Sequence, residues 1–293
     1  MLEQQLVNAL TLGCVYALFA LGFTLVFGIL GVVNLSHGAV FMLGAYVALQ
    51  GVTALGLPLW AAVSVAVVAC GLAGLIIDFL VLKPLRHRGA PHLIPMVATI
   101  GIGIALNSAM QGIFGAENLR FPHGTTPDVT ISIGGALLTA IDLTIILLSF
   151  GLMAALMLLI RKTQIGRALR AIAESPKAAR LVGIDVEKMF LVTSFAAAAM
   201  GGLAGVLIGL YSNAVYPLMG QPILHKGIAV IILGGMGDIR GAMLGGLFLG
   251  AAEVFSIAHI GSSMRDAVAF GLLFVILLFR PEGVFGTTLE RKA

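Results

Sequence analysis

Few side chains in this sequence could do chemistry, and those that could interrupt apolar runs. Asn34, Ser36 and His37 fall together in GVVNLSHG, residues 31–38, between two such runs. Asp78, Asn107, Glu253 and His259 stand singly inside others. A polar or ionisable group at membrane depth is costly and ordinarily faces a bundle interior, a partner or a wet path. Glu253, mid-run, cannot reach an interface, so it must pair with a neighbour such as His225 or line a path. Asp78 precedes Lys83 by five residues and can reach the interface. None of these groups forms a nucleophile with its base. No G-x-x-x-x-G-K-[ST] sequence occurs, so the chain itself is not expected to hydrolyse ATP. Nothing resembles a nucleophile elbow or a zinc-binding helix. Cys14 and Cys70 lie within apolar runs and read as small core residues rather than metal ligands or a disulfide. No catalytic residue, metal or resident cofactor is expected. These side chains fit the passage of a solute, not covalent chemistry.

The break at 31–38 has two readings. At membrane depth, backbone freed from a helix must meet protein or a water-filled cavity, and transporters build substrate sites from such breaks. The alternative is a tight interfacial turn. On the first reading Asn34, Ser36, His37 and Gly38 line a path, with Asn107 and Glu253 nearby. A second glycine-rich turn, GGMGDIRGAMLGG at 234–246, echoes the first through HGA and RGA, as an internal repeat or by chance.

The elements that must position these residues are apolar helices. Of 293 residues, 59% are hydrophobic and 10% charged, and mean hydropathy is +1.08. A soluble domain carries about 25% charged residues. The fold class is therefore an all-α, polytopic membrane bundle. Thirty-eight glycines predict close helix contacts. A span needs about 20 apolar residues, and nine candidates appear: 6–30, 38–56, 58–82, 93–115, 137–160, 190–211, 222–236, 241–260 and 264–280. The seventh is short and could be re-entrant, so eight or nine crossings are expected. The N-terminus lacks a basic region and a small-residue cleavage site, so the first run is expected to stay in the mature protein. Residues 1–293 form one transmembrane domain.

Charge orients the bundle. With the loops 83–89 and 161–189 inside, all but Arg120, Lys226 and Arg265 of the 17 Lys and Arg are cytoplasmic. The N-terminus then lies outside, the C-terminus inside, and 116–136 is the longest outer loop. The net charge of +4 reflects this bias and does not call for nucleic acid.

The segment 161–189 is the longest polar stretch. It carries Arg161, Lys162, Arg167, Arg170, Lys177, Arg180 and Lys188. Leu169, Ile172, Ala173, Ala178, Leu181 and Val182 recur at helical spacing. Ser175-Pro176 divides them, an N-cap followed by proline at the first helical position, and Gly183 ends the second helix. Two short amphipathic helices of this kind lie on lipid headgroups or dock in a partner's groove.

KAARLVG at 177–183 resembles the E-A-A-x-x-x-G coupling loop of binding-protein-dependent ABC importer permeases. Ala178, Ala179 and Gly183 match. Lys177 replaces the usual Glu, and the hydrophobic-proline ending is missing. FGILGVVNLSHGAVFMLGAY, GRALRAIAESPKAARLVGID, ILGGMGDIRGAMLGG and FRPEGVFG resemble, in order and spacing, the LivH-type branched-chain amino acid permeases. The resemblance covers nearly the whole chain. It implies a bacterial inner-membrane subunit paired with a LivM-type permease, two ATPases that bind ATP and magnesium, and a periplasmic binding protein. It further implies that Arg170, Glu174, Ser175, Lys177, Ala178, Ala179, Arg180 and Gly183 receive the ATPase stroke. The solute would be a small amino acid, a branched-chain one before others, or an amide. An ATPase-independent channel or ion-coupled carrier would need several ionisable groups at mid-membrane. A plain membrane anchor would need no polar interruptions.

Overall fold

The computed structural model describes residues 2–280 except His92, Asp128 and Gly134, together with Gly283. Most of FRPEGVFG, and the basic residues Arg291 and Lys292, lie outside the described residues.

Each of the nine expected runs contains a helix. Seven are long and apolar enough to cross a membrane: α1 (Leu2–Leu30), α3 (Leu59–Ile77, continued through a π-helical turn, Asp78–Leu82, into α4, Lys83–His87), α5 (Leu93–Phe114), α6 (Ala140–Lys162), α9 (Val186–Ser212), α11 (Ile239–His259) and α12 (Arg265–Phe279, entered through a 3-10 turn). Two are shorter, α2 (His37–Thr53) and α10 (Gly220–Gly234). The bundle is polytopic and all-α in class, with one small hairpin added. Residues Thr130–Ile133 (β1) and Ala136–Thr139 (β2) pair antiparallel, Thr130 opposite Thr139. β-branched Thr130, Ile131, Ile133 and Thr139 suit a hairpin over a helix. Gln4 holds it to the start of α1, accepting from Leu137 N at 2.8 Å and donating to Leu137 O at 3.2 Å.

Local signals set the boundaries at the polar turns, where one residue often ends a helix and caps the next. Thr163 stops α6, and its hydroxyl accepts from Gly166 N to start α7 (Gln164–Glu174). Ser175 does the same between α7 and α8 (Pro176–Leu181). Asp185 caps α9 and Asp238 caps α11. Each supplies an acceptor to amides that the helix leaves unpaired. Thr139 and Asp142 form a reciprocal capping box at α6.

The core lies where α1, α2, α9 and α11 cross. Glycine allows the contact at α2 and α9, where a Cβ on Gly44 would overlap the backbone of Gly202. Burial is lopsided: the most apolar window of α1 is 89% buried, those of α5 and α6 only 17%. Among the described residues, nothing covers the outer faces of α5 and α6.

Both short helices begin in mid-bundle. His37, at the start of α2, meets Phe19 and Gly22, two to three turns back from the end of α1. Gly220, at the start of α10, lies against Gly38. The segments 31–36 and 213–219 therefore run back into the bundle before helix resumes. The turn at 235–238 is different: it joins α10 to α11 tightly, with Gly237 beside Gly28 near the end of α1. The echo between 31–38 and 234–246 is not matched in geometry.

Candidate functional site

The break is built by short-range bonds. Gly31 takes φ +68° and ends α1. Asn34 Oδ1 accepts from Ser36 N at 3.1 Å and Ser36 Oγ at 2.6 Å, a side-chain-closed turn. Leu35 N donates to Thr99 Oγ1 on α5 at 3.1 Å. Asn34 is half-buried and Ser36 buried. His37 is enclosed: Nε2 donates to the Phe19 carbonyl at 3.3 Å, and the Phe19 and Phe23 rings stand 4.7 and 5.7 Å away. A Cβ on Gly22 would come within 3.0 Å of the imidazole, and one on Gly201 within 2.6 Å, so glycines make its room. His37 is thus packed closely by protein. A Cβ on Gly38 would stand 2.7 Å from the Gly220 carbonyl, which fixes the crossing of α2 and α10.

Asn107 is half-buried on α5, two turns beyond Thr99; Gly103, one turn on, backs onto Ser36. Asn34, Ser36, His37 and Gly38 are together, with Asn107 on the helix that covers them. Glu253 belongs elsewhere. It is fully buried on α11 and faces α1, α10 and α12. Its Oε2 accepts from Tyr16 Oη at 2.6 Å and its Oε1 from Lys226 Nζ at 2.8 Å. Arg265 Nε also meets Oε1. Arg265 donates to Tyr16 Oη at 3.1 Å, and Lys226 lies 3.3 Å from Asp266 Oδ1. The expected partner His225 is not the one used; it lies in an apolar groove with Ile228, Ile232, Phe270 and Leu273. The neighbour Lys226, 100° round the helix, faces Glu253 instead. His259 is exposed and bonds the Phe255 carbonyl at 3.0 Å rather than facing the interior.

Asp78 is fully buried, and Arg86 from the following polar loop grips both its oxygens at 2.7 and 3.2 Å. Arg86 reaches on to Glu187 Oε2 at 3.6 Å, while Glu187 Oε1 also meets His87 at 3.4 Å and Arg180 at 3.3 Å.

In the 161–189 loop the helices divide at Ser175-Pro176, as the spacing predicts. On the apolar face of α7, Leu169 and Ile172 are buried on this chain's own core with Leu25, Val26, Ile29 and Phe190. Ala179 on α8 joins them. Leu181 and Val182 point the other way, 89% and 75% exposed. Gly183 takes φ +85° and stops α8 behind them. Arg170, Glu174, Lys177, Ala178 and Arg180 are exposed around this tip, and Arg170 donates to the Ile160 carbonyl.

Comparison with known proteins decides the family. A family model described as the permease component of a branched-chain amino acid transport system matches residues 5–277. The chain belongs to that permease family. Among its relatives, the permease protein BraD of a high-affinity branched-chain amino acid transport system in Pseudomonas aeruginosa is 37% identical over 294 residues, covering 97% of this chain and 95% of BraD. LivH of Escherichia coli K12 is 36% identical over 299 residues, with the same coverages. LivM of the same organism is 24% identical, covering 98% of this chain and 72% of LivM. No solved structure matches. The permease is thus a transporter subunit and not an enzyme. Residue-by-residue spacing missed Tyr16, Lys226, Arg265 and Arg86. The signal was present in Tyr16 and Lys226, each polar within an apolar run, but not in their pairing.

Proposed function

We propose that this permease is one of two transmembrane subunits of an ATP-driven importer for branched-chain amino acids. The near-full-length similarity to BraD carries the reading. Its partners are a LivM-type second subunit, two ATPases that bind ATP and magnesium, and a periplasmic binding protein. The 161–189 loop faces the cytoplasm, the N-terminus faces the periplasm, and the C-terminus faces the cytoplasm in a bacterial inner membrane. The clustering of basic loops at the end opposite the β-hairpin supports this orientation. Residues 1–293 act as one transmembrane domain.

The α8 tip is the ATPase contact. Leu181 and Val182 stand free on a helix whose other face is buried on the permease, which suits apolar knobs seated in a partner groove. Arg170, Glu174, Ser175, Lys177, Ala178, Ala179, Arg180 and Gly183 shape and rim that tip. On the solute path, Asn34 and Asn107 supply half-buried polar groups beside the mid-bundle break, and Ser36, His37 and Gly38 hold it from behind. Glu253 acts on the path only through the helices it ties together. The bare faces of α5 and α6 are where a second subunit and lipid pack.

The test is leucine uptake into proteoliposomes holding the full transporter. Uptake that needs ATP and the binding protein is expected, and Leu181→Asp should lose ATPase co-purification while the permease still inserts. Uptake by the permease without ATPase subunits would overturn the reading in favour of a channel or carrier.

A further inference from the structure

We propose that Arg86 is the positioning residue that transmits movement of the α8 tip into helix α3, and that Glu187 is its sliding contact. This deepens the coupling role proposed above and rests on it. One guanidinium joins two elements, the π-helical turn and α9, and reaches a third, α8, through Glu187. Inward, it grips both oxygens of the fully buried Asp78, at the first residue of the π-helical turn. Sideways, it lies over the Phe190 ring on α9, 4.5 Å from the centroid. Outward, it faces Glu187, which in turn meets Arg180 on α8.

The two sides of Arg86 differ in stiffness. The Asp78 side is a two-pronged contact sealed from water, and a buried charge cannot be left without its partner. It therefore moves as one body. The Glu187 side is half-exposed and long, and pairs of that kind are weak and exchangeable. It is also incompletely closed: Arg86 Nε and Glu187 Oε2 are buried with no hydrogen-bond partner. Buried polar atoms are seldom left so. The 3.6 Å separation of Arg86 Nη2 from Glu187 Oε2 leaves room for a second arrangement in which the carboxylate closes on the guanidinium. Glu187 stands in the first turn of α9, so a shift of α8 moves Arg180 and, through the 3.3 Å contact with Oε1, turns the Glu187 side chain toward or away from Arg86.

The receiving end is built to bend. Lys83 N bonds the Asp78 carbonyl five residues back. Pro84 has no N–H for the Leu80 carbonyl, and its ring crowds that carbonyl. Helices kink at prolines and at π-turns of this kind. Asp78 thus anchors Arg86 to the point of α3 where the helical ladder is already interrupted.

The experiment uses the complete transporter in proteoliposomes and reads the ratio of leucine imported to ATP hydrolysed, beside the amount of ATPase co-purified. Glu187→Gln should lower the ratio severalfold. Arg86→Met alone strands Asp78 and could fail to assemble, so the double variant Asp78→Leu/Arg86→Met, which removes both charges, is measured with it and should also show a severalfold lower ratio. Arg86→Lys keeps the charge without the fork and should fall between. A merely structural role would lower import and hydrolysis together and leave the ratio unchanged, and that result in Glu187→Gln and the double variant overturns the proposal. If the ratio falls only because the ATPase no longer co-purifies, the link is a docking contact and the proposal is likewise overturned. A wild-type permease that fails to bring down ATPase would instead overturn the coupling role itself.

Discussion

Two ionic clusters of similar make-up sit at different places in the permease. One gathers Tyr16, Lys226, Glu253, Arg265 and Asp266 from α1, α10, α11 and α12. The other gathers Asp78, Arg86, His87, Arg180 and Glu187 near the polar loops. Each centres on a fully buried acid. They differ in what surrounds it. Lys226 is only 6% exposed, and its cluster clamps two helices to the core. Arg180 is 58% exposed, and its cluster opens outward onto a groove lined by Ile184, Val186 and Phe190. The same chemistry serves as a fixed joint at the sealed Glu253–Lys226 pair, whose rim residues Arg265 and Asp266 are 39% and 64% exposed, and as a movable one at the Glu187–Arg180 pair, where water reaches it.

The sharpest break of the comparison is Glu253→Ala. It takes from the buried Lys226 its closest acceptor and leaves it only Asp266 at 3.3 Å, and removing one partner of a buried pair costs about 3–5 kcal/mol. Thermal unfolding of the purified permease should show a clear drop in midpoint. An unchanged midpoint would mean that this cluster is no joint.

Asp78→Ala should cost less, about 1–3 kcal/mol for a buried donor left without its acceptor, because Arg86, 14% exposed, can turn toward solvent. Equal losses for Asp78→Ala and Glu253→Ala would erase the distinction drawn between the clusters.

Ser175→Ala removes the cap that α8 uses, worth about 1 kcal/mol. The effect should be confined to the loop: faster protease cutting between α7 and α8, with the unfolding midpoint of the bundle nearly unchanged. A midpoint that falls as far as in the Asp78 variant would tie the loop to the core more tightly than the geometry implies.

The smallest change is expected for Arg180→Ala, within about 1 kcal/mol, as for exposed pairs generally. Raising the salt concentration should narrow even that difference in unfolding midpoint, since exposed charges are screened. A larger, salt-independent loss would mark Arg180 as a structural member of the cluster.

Much of the architecture was legible because it is local. Apolar runs announced the helices, and Ser175-Pro176 and Gly183 marked where the loop divides and stops. The β-hairpin was less legible, since 116–136 reads as loop by its Pro, Gly, Thr and Asp, and β-pairing needs a partner strand that periodicity does not name. A half-depth start of α2 was one of two readings of 31–38, and that of α10 was hinted at by the shortness of 222–236. The placement of His37 was not legible, because an enclosed histidine and a path-lining one look alike in GVVNLSHG.

By itself the sequence determined the membrane class, the helical runs, the capped turns and the surplus of basic residues in two loops. Those depend on composition and on bonds between residues a few positions apart. Only the tertiary structure decided the partners: Glu253 with Lys226 instead of His225, Asp78 with Arg86, and Leu169 and Ile172 of α7 with this chain's own core. Adjacent helix residues point 100° apart, so one rotation of α10 about its axis exchanges Lys226 for His225. What sets that rotation is the fit of glycines against neighbouring backbones, Gly220 on Gly38 and Gly227 on the Phe19 ring, contacts between segments far apart in the chain.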